Sequence, residues 1–342
     1  MERKQIEKSD LSRWLDKIGE EYELIGPTEE DGVISFRPVD SSSEFTLEYA
    51  NSVIPPKSVF FPPAENLFSF RKRGREIEIE ETKALERDRV LFGIRNCDVR
   101  SLLLLDAVFA HDVEDAYYLD RRKRTALIAL ACPTPPRSSC FCSTFGIDPL
   151  SSEGSDILLT EADGVYLVDV ASEKGERLVA LSEELFSPLS DEEAKQLQPP
   201  PVAMKELDVS ELKGRIESLW EDDYWEKLSF PCLGCGICTY VCPTCHCFDI
   251  VDVGSTANGV RYRCWDSCMY SDFALMASGE NPRPTKRERI RNRYFHKFSS
   301  FPSRYGTEYA CVGCGRCLVH CPGGTEITQV IEDILAKESV SE

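Results

Sequence analysis

Two copies of one cysteine pattern constrain this chain more than any other feature. Each copy spaces four cysteines as C-x-x-C-x-x-C-x-x-x-C and follows the last one with proline. The runs are Cys232, Cys235, Cys238 and Cys242, followed by Pro243, and Cys311, Cys314, Cys317 and Cys321, followed by Pro322. A [4Fe–4S] cluster needs four thiolates around a compact core, and in two-cluster ferredoxins the fourth cysteine of each run ligates the other cluster. The spacing therefore predicts two clusters, one held by Cys232, Cys235, Cys238 and Cys321 and the other by Cys311, Cys314, Cys317 and Cys242.

Structural zinc is the main alternative for such a cysteine-rich sequence. Zinc sites usually combine two spaced pairs of ligands in a closed tetrahedron. Here each run supplies four cysteines and ends on a proline that turns the chain after the last ligand. The repeated pattern favours iron–sulfur clusters over zinc.

Length and composition limit the class of protein. With 342 residues, of which 42% are hydrophobic, the chain can form about two domains with a buried core. Its 16 cysteines would also suit a disulfide-rich secreted protein, but such proteins are short and begin with a signal peptide. This sequence opens on a charged, amphipathic stretch, and no window holds the ~18 apolar residues of a membrane span. We therefore expect a cytoplasmic protein in a reducing, anaerobic setting.

The hydrophobic pattern of residues 1–198 predicts an α/β domain with a mixed sheet. The apolar run 89–95, a helix from Asn96 and the apolar run 125–132 are typical of a strand, a helix and a second, parallel strand. Residues 157–170 are typical of an antiparallel hairpin that turns at Asp163-Gly164. The remaining elements predicted here are a helix over 2–22 and strands over 33–39 and 76–80.

A proline-rich stretch at 198–201 predicts the boundary between two domains, 1–198 and 203–342. The second domain is expected to begin with an amphipathic helix over 208–228 and to end with a helix over 325–336. We expect it to be mainly helical, which makes the overall fold class α+β.

Four cysteines of the N-terminal half could form a third site. Cys97 and Cys132 follow the two strands of the predicted parallel pair, and Cys140 and Cys142 come shortly afterwards. Loops at the carboxyl ends of parallel strands are where open α/β sheets bind ligands. The alternative is that these are ordinary buried cysteines, which behave as small hydrophobes. Spacing alone leaves both interpretations open.

The 68 residues between Cys242 and Cys311 are more than a compact ferredoxin would hold there, and they contain four further cysteines. These are Cys245, Cys247, Cys264 and Cys268. Another cubane so near to Cys242 would crowd several negatively charged cores in a poorly screened interior. We therefore predict that these four ligate no metal and instead pack beside the clusters or donate S–H contacts to them. We further expect His246 to pack rather than to ligate, and Trp265 to shield a cluster from water.

Charge is unevenly distributed along the chain. The net charge of −19 argues against nucleic-acid binding, which requires a basic surface. Two basic stretches nevertheless occur, at 71–75 and at 286–293. Each is either an ordinary solvated face or a docking surface for an acidic partner, and the sequence leaves both open.

Several short motifs, in the same order, give the chain a family resemblance. They are GIRNCDVRSL (93–102), CFCSTFGIDP (140–149), CPTCHCFDIVD (242–252), RYRCWDSC (261–268), ASGENPRP (277–284) and YGTEYACVGCGRCLVHCP (305–322). Together they resemble the β subunit of archaeal sulfhydrogenases and the A subunit of anaerobic sulfite reductases. The segment after Cys142 departs from the family, which tends to have SMGTGP there, but all four N-terminal cysteines are present.

The resemblance implies an iron–sulfur subunit with a dicluster domain of the α-helical ferredoxin kind, and it favours a third cluster at Cys97, Cys132, Cys140 and Cys142. Such subunits relay electrons between a flavin subunit that uses NAD(P)H and a separate catalytic subunit of hydrogenase, sulfite reductase or disulfide reductase type. No residue of the chain is then required for bond-making catalysis. The donor, the acceptor and the direction of electron flow are left open.

Two other functions compete with the relay. A free-standing reductase could bind a small substrate at the N-terminal cysteines, but no GxGxxG fingerprint for a dinucleotide follows a strand. A redox sensor with a labile cluster is the weakest alternative, because no DNA-binding module is recognisable.

Overall fold

Two β-sheets organise the computed structural model, which describes residues 2–82, 85–200 and 202–337. Its strands are β1 (Glu2–Glu7), β2 (Glu23–Glu30), β3 (Val33–Pro38), β4 (Ala64–Arg73), β5 (Glu76–Glu81), β6 (Arg89–Arg95), β7 (Thr125–Leu130), β8 (Ile157–Glu161), β9 (Val165–Val170), β10 (Phe186–Pro188), β11 (Phe248–Gly254) and β12 (Asn258–Trp265). Its α-helices are α1 (Leu11–Glu21), α2 (Asn96–Phe109), α3 (Ala116–Lys123), α4 (Glu173–Ala180), α5 (Asp191–Leu197), α6 (Leu212–Ser218), α7 (Tyr224–Ser229), α8 (Ile237–Tyr240), α9 (Lys286–Phe295), α10 (Phe301–Tyr305), α11 (Arg316–Val319) and α12 (Ile327–Ala336).

The larger sheet is mixed, as the sequence predicted. Its order is β10-β1-β9-β8-β7-β6-β2-β3. The central strands β2, β6, β7 and β8 are parallel, and the outer pairs are antiparallel. The predicted strand–helix–strand unit is confirmed as β6-α2-β7, and the predicted hairpin as β8-β9. Gly164, with a φ of +74°, forms that turn in the left-handed region.

Alternation along β6 explains how this sheet forms the core. Val90 and Phe92 pack on one face with Trp14 of α1, while Leu91 and Ile94 pack on the other with residues of α2. A strand that is buried on both faces appears in sequence as a continuous apolar run, which is why 89–95 was recognisable.

The smaller sheet has the order β11-β12-β4-β5, so it joins strands from both sides of the proline-rich stretch at 198–201. Strand β12 pairs antiparallel with β4, with Val260 opposite Ser69. The C-terminal half thus contains a β-hairpin among its helices. Pro201 of the predicted linker and residues 338–342 of the predicted second domain lie outside the described residues.

Two helix predictions need correction. Over 2–22, the first six residues form β1 rather than helix, because they pair with both β9 and β10 and so bury Ile6 in the sheet core. The single helix predicted over 208–228 is divided into α6 and α7. At the break, the Asp222 side chain accepts a hydrogen bond from the Tyr224 backbone amide at 2.7 Å, which competes with continued helix. Among the helices in the described ranges, none is long and apolar enough to cross a membrane.

Candidate metal centres

Four cysteines from both runs line one cavity near the surface. They are Cys232, Cys235, Cys238 and Cys321. Short loops around Gly234 and Gly236, both in the left-handed region, let the backbone wrap around this cavity. The amides of Gly234 and Thr325 point at the sulfurs of Cys232 and Cys321, at 3.4 and 3.3 Å. This lining matches the first crossed set predicted from the sequence.

A second cavity is lined by the other crossed set, which is Cys242, Cys311, Cys314 and Cys317. It lies deeper than the first, and the side chain of Lys297 also faces it. Burial raises the pKa of the Cys311 thiol to about 12. The Cys311 thiol is therefore protonated without a metal, and a metal or cluster would have to displace its proton on binding.

The four N-terminal cysteines also come together, at the carboxyl ends of β6 and β7. Burial is the main cause that raises the pKa of Cys142 to about 12, and the neighbouring thiols of Cys132 and Cys140 raise it further. Burial likewise raises the pKa of Cys97, with contributions from Asp98, Cys314 and Cys142. The ends of the parallel strands β6 and β7 thus bring Cys97 and Cys132 to one edge of the larger sheet, and a cluster at the four cysteines stays a prediction.

The N-terminal cysteines and the second cavity are in direct backbone contact. The amide of Phe141 donates to the carbonyl of Gly313 at 2.9 Å. The side chain of Asn51 donates to the carbonyl of Cys314, also at 2.9 Å. A buried ion pair also joins the two sites. The guanidinium of Arg316, two residues after Cys314, donates two hydrogen bonds to the carboxylate of Asp98, which adjoins Cys97, at 2.6 and 2.7 Å.

The second cavity also borders the first. Arg293 lies between Cys238 of the first set and Cys317 of the second, and both thiols contribute to raising its pKa against the opposing effect of burial. The arginine side chain lines the first cavity and donates to the carbonyl of Cys238 at 3.2 Å. The second cysteine set therefore neighbours both of the others.

Comparison with known proteins identifies the family. The model of the 4Fe-4S dicluster domain matches residues 231–325, which span both cysteine runs. The sulfhydrogenase 2 subunit beta of Pyrococcus furiosus is 32% identical over 326 residues, covering 94% of this chain and 93% of that protein. This chain belongs to the sulfhydrogenase β-subunit family. No solved structure matches it.

Membership of the sulfhydrogenase β-subunit family confirms the resemblance carried by the sequence motifs. Together with the dicluster domain, it supports an iron–sulfur electron-transfer subunit of an oxidoreductase. No group of three histidine, cysteine or acidic side chains in the described ranges is arranged to hold a single metal ion.

Buried charge tests whether this family member is suited to [4Fe–4S] clusters. Lys57, Arg293 and Lys297 are each at most 5% exposed, and within the described ranges none pairs with a carboxylate. Buried cations normally require a countercharge. A cubane held by four thiolates is anionic, so the three cations suit clusters at the first two sets. At the N-terminal set, the buried hydroxyls of Ser139 and Ser143 have no hydrogen-bond partner among the residues that the structure describes, as expected if a further group fills the space beside them.

Of the four cysteines of the insertion, Cys247 interacts with both Cys245 and Cys268, whereas Cys264 lies apart. Cys245 is next to Cys242, and Cys247 is next to Cys268. Within each of these two pairs, a side-chain hydrogen bond between the cysteines shifts the pKa of both. Cys264 lies apart on β12, where burial and then Asp249 and Asp266 raise its pKa. His246 packs with its ring centroid 5.4 Å from that of His296 and its Nδ1 3.1 Å from the Thr244 carbonyl.

The basic stretch 286–293 is partly buried, so neither interpretation offered from the sequence fits it. Arg289, Arg291 and Arg293 are each at most 9% exposed. Arg291 stacks on Trp220 at 3.9 Å and donates to its carbonyl at 2.8 Å. In contrast, residues 71–75 are exposed, as a solvated or docking face requires.

Sequence reasoning missed Lys57 and Lys297 because an isolated lysine carries no sign of burial. Lys57 donates to the carbonyls of Cys242 and Cys245 at 2.8 and 2.6 Å, and its ammonium lies 4.2 Å from the ring centre of Trp265. Burial lowers its pKa to about 8, although Cys245 and Cys242 oppose the shift. The sequence showed the basic stretch 286–293, which contains Arg293, but it did not show that the Arg293 side chain faces inward.

Proposed function

We propose that this chain is the electron-relay subunit of a multi-subunit cytoplasmic oxidoreductase and that it carries three [4Fe–4S] clusters. The proposal depends mainly on one observation, the lining of two separate cavities by two crossed cysteine sets. The ligands would be Cys232, Cys235, Cys238 and Cys321 for the first cluster, Cys242, Cys311, Cys314 and Cys317 for the second, and Cys97, Cys132, Cys140 and Cys142 for the third. Each cubane supplies a site that takes up and releases one electron.

The chain itself supplies the ligands, the exclusion of water and the compensating charge. The second and third sets are shielded by side chains such as Phe141, which is 2% exposed. The first set reaches the surface through Cys235, which is exposed. Beside it, Phe230 and Leu233 are 74% and 69% exposed. We infer that a redox partner approaches the first set, because an electron crosses between proteins where a cofactor is least covered.

The partners follow by analogy with the family. The Pyrococcus furiosus relative is a subunit of a sulfhydrogenase. We propose a flavin-containing NAD(P)H-oxidoreductase subunit on one side and a redox catalytic subunit of hydrogenase, sulfite reductase or disulfide reductase type on the other. No residue of this chain need make or break a substrate bond.

Metal analysis of the anaerobically purified chain tests the cluster count. We expect about 12 iron atoms per chain, four for each of three cubanes. An iron content of about eight atoms per chain would contradict the third cluster, whereas zinc in place of iron would refute the whole proposal. The isolated chain should also show no turnover of its own, and reduction of a small substrate by the chain alone would favour a free-standing reductase.

Two cysteine variants test the ligand assignment. Cys242→Ala should perturb the electron paramagnetic resonance signal of the cluster built on Cys311, Cys314 and Cys317. If only the cluster at Cys232, Cys235 and Cys238 changed, the crossing would be wrong. As the matched control, a double change of Cys245 and Cys268 to Ser should leave the iron content unchanged. A loss of about four iron atoms in that control would indicate a fourth cluster.

A further inference from the structure

The ammonium group of Lys297 donates to a sulfur as well as to two oxygens. Its Nζ donates to the Sγ of Cys242 at 3.2 Å, to the Oγ1 of Thr244 at 3.1 Å and to the carbonyl of Ala310 at 2.8 Å. The residue is 3% exposed and lines the second cavity. All three donors of the ammonium are thus used, and one of them is directed at a proposed cluster ligand.

Local backbone geometry holds the lysine in this position. Lys297 lies in a π-helical turn, His296–Ser300, which interrupts the helical segment between α9 and α10. Single π-helical turns are uncommon and occur frequently at functional sites. Arg293, one turn earlier, faces the first cavity. The same helical segment therefore presents one cation to each of the two cavities.

The countercharge of Lys297 must come from the cavity. Within the described ranges it has no carboxylate partner, and a buried ammonium without countercharge is strongly unfavourable. Lys57 and Arg293 differ, because their hydrogen bonds go to backbone carbonyls of Cys242, Cys245 and Cys238.

We propose that Lys297 is a positioning residue that raises the reduction potential of the second cluster through an N–H···S bond to Cys242. This deepens the proposed function, because it assumes a cluster on Cys242, Cys311, Cys314 and Cys317. Reduction adds one electron and changes no bond, so the cluster gains one negative charge. A fixed ammonium 3.2 Å from a ligand sulfur stabilises that more negative state. Lys297 thereby favours residence of the electron on the second cluster.

A redox titration with dithionite, monitored by electron paramagnetic resonance, tests this inference. The signal of the second cluster is first identified as the one lost in Cys311→Ser. Lys297→Met should lower its midpoint potential by at least 59 mV, which is a tenfold change in the ratio of oxidised to reduced cluster for one electron. Lys297→Arg keeps the positive charge, so its midpoint potential should stay closer to that of the unmodified protein. Lys123→Met, which removes an exposed lysine on α3, is the control and should shift no midpoint.

The outcomes separate the inference from the proposed function. An unchanged midpoint in Lys297→Met, with full iron content, would overturn the role of Lys297 while leaving the relay intact. An equal shift in Lys297→Arg would also overturn it, because charge would then not be the cause. If Lys297→Met loses iron, the arginine variant decides. Full iron content with a near-native midpoint potential in Lys297→Arg supports the inference. Loss of iron from Lys297→Arg as well shows that the role of Lys297 is purely structural.

Discussion

Gly313 joins the second cysteine run to the N-terminal cysteines so closely that replacing it with alanine should force them apart. A Cβ atom at this position would lie 2.4 Å from the carbonyl oxygen of Phe141 and 2.6 Å from the Cα of Cys142. Both are backbone atoms, so no side-chain rotation relieves the overlap. The φ of Gly313 is also +58°, a region that L-residues adopt only with strain.

The expected cost has two parts. The left-handed conformation costs roughly 1–2 kcal/mol for a residue with a Cβ. Overpacking of a filled site typically costs about 1–3 kcal/mol more. Gly313→Ala should therefore lower the free energy of unfolding by about 2–5 kcal/mol. Because the overlap displaces the segment that carries Cys140 and Cys142, it should also weaken the third cluster first.

Gly306→Ala is the matched control. Gly306 has nearly the same φ, +62°, but a Cβ there would meet no atom of the described residues within 4 Å. Both variants carry the same backbone strain. The difference between their free energies of unfolding in urea therefore measures the cost of the close contact at Gly313. Iron analysis and electron paramagnetic resonance then report which cluster is lost. If Gly313→Ala loses no more stability than Gly306→Ala and keeps all its iron, the close contact between the two cysteine segments is refuted.

Two further predictions concern buried ionisable groups. Asp98→Asn leaves the Arg316 charge buried without its partner and should cost about 3–5 kcal/mol in urea denaturation, and substituting Met for Arg316 in the same chain should recover much of the loss. Burial lowers the pKa of His246 to about 4 and of His296 to about 3, against about 6.5 in an unfolded chain. The unfolded state therefore binds more protons below pH 6.5, so stability should be complete above that pH and fall as the pH drops towards 4. His296→Phe should flatten part of this fall between pH 6.5 and 4, and an unaltered pH dependence would contradict the buried, neutral state of His296.

The features that the sequence predicted well are those with a local or repeated chemical signature. The two cysteine runs are one such signature, because four thiolates at fixed spacing imply a specific ligand geometry. The apolar run within β6 is another, since continuous hydrophobicity over residues 90–94 has few structural explanations. Cys97 and Cys132 were found by topology, as the ends of adjacent parallel strands meet at one edge.

What the sequence could not predict depends on contacts between distant residues. The strand at Glu2–Glu7 carries a helical-looking pattern, and only its pairing with β9 and β10 decides its structure. Similarly, charged residues give no local sign of which face is buried. The inward side chain of Arg293 was therefore not apparent within a stretch interpreted as surface, and Lys297, which lies just beyond that stretch, gave no sign of its burial.

The smaller sheet has a consequence for how the protein is made. During translation β4 emerges early, yet in the described part of the chain one of its two edges is paired only by β12, whose last residue is Trp265. Until the ribosome has reached that point, β4 presents an open edge of the kind that invites wrong pairing. The cysteines from 311 onwards, which close both crossed sets, appear later still. Neither crossed set can therefore be complete until almost the whole chain has been made, and a nonsense codon between the proline-rich stretch and Cys311 would leave a chain that contains neither set.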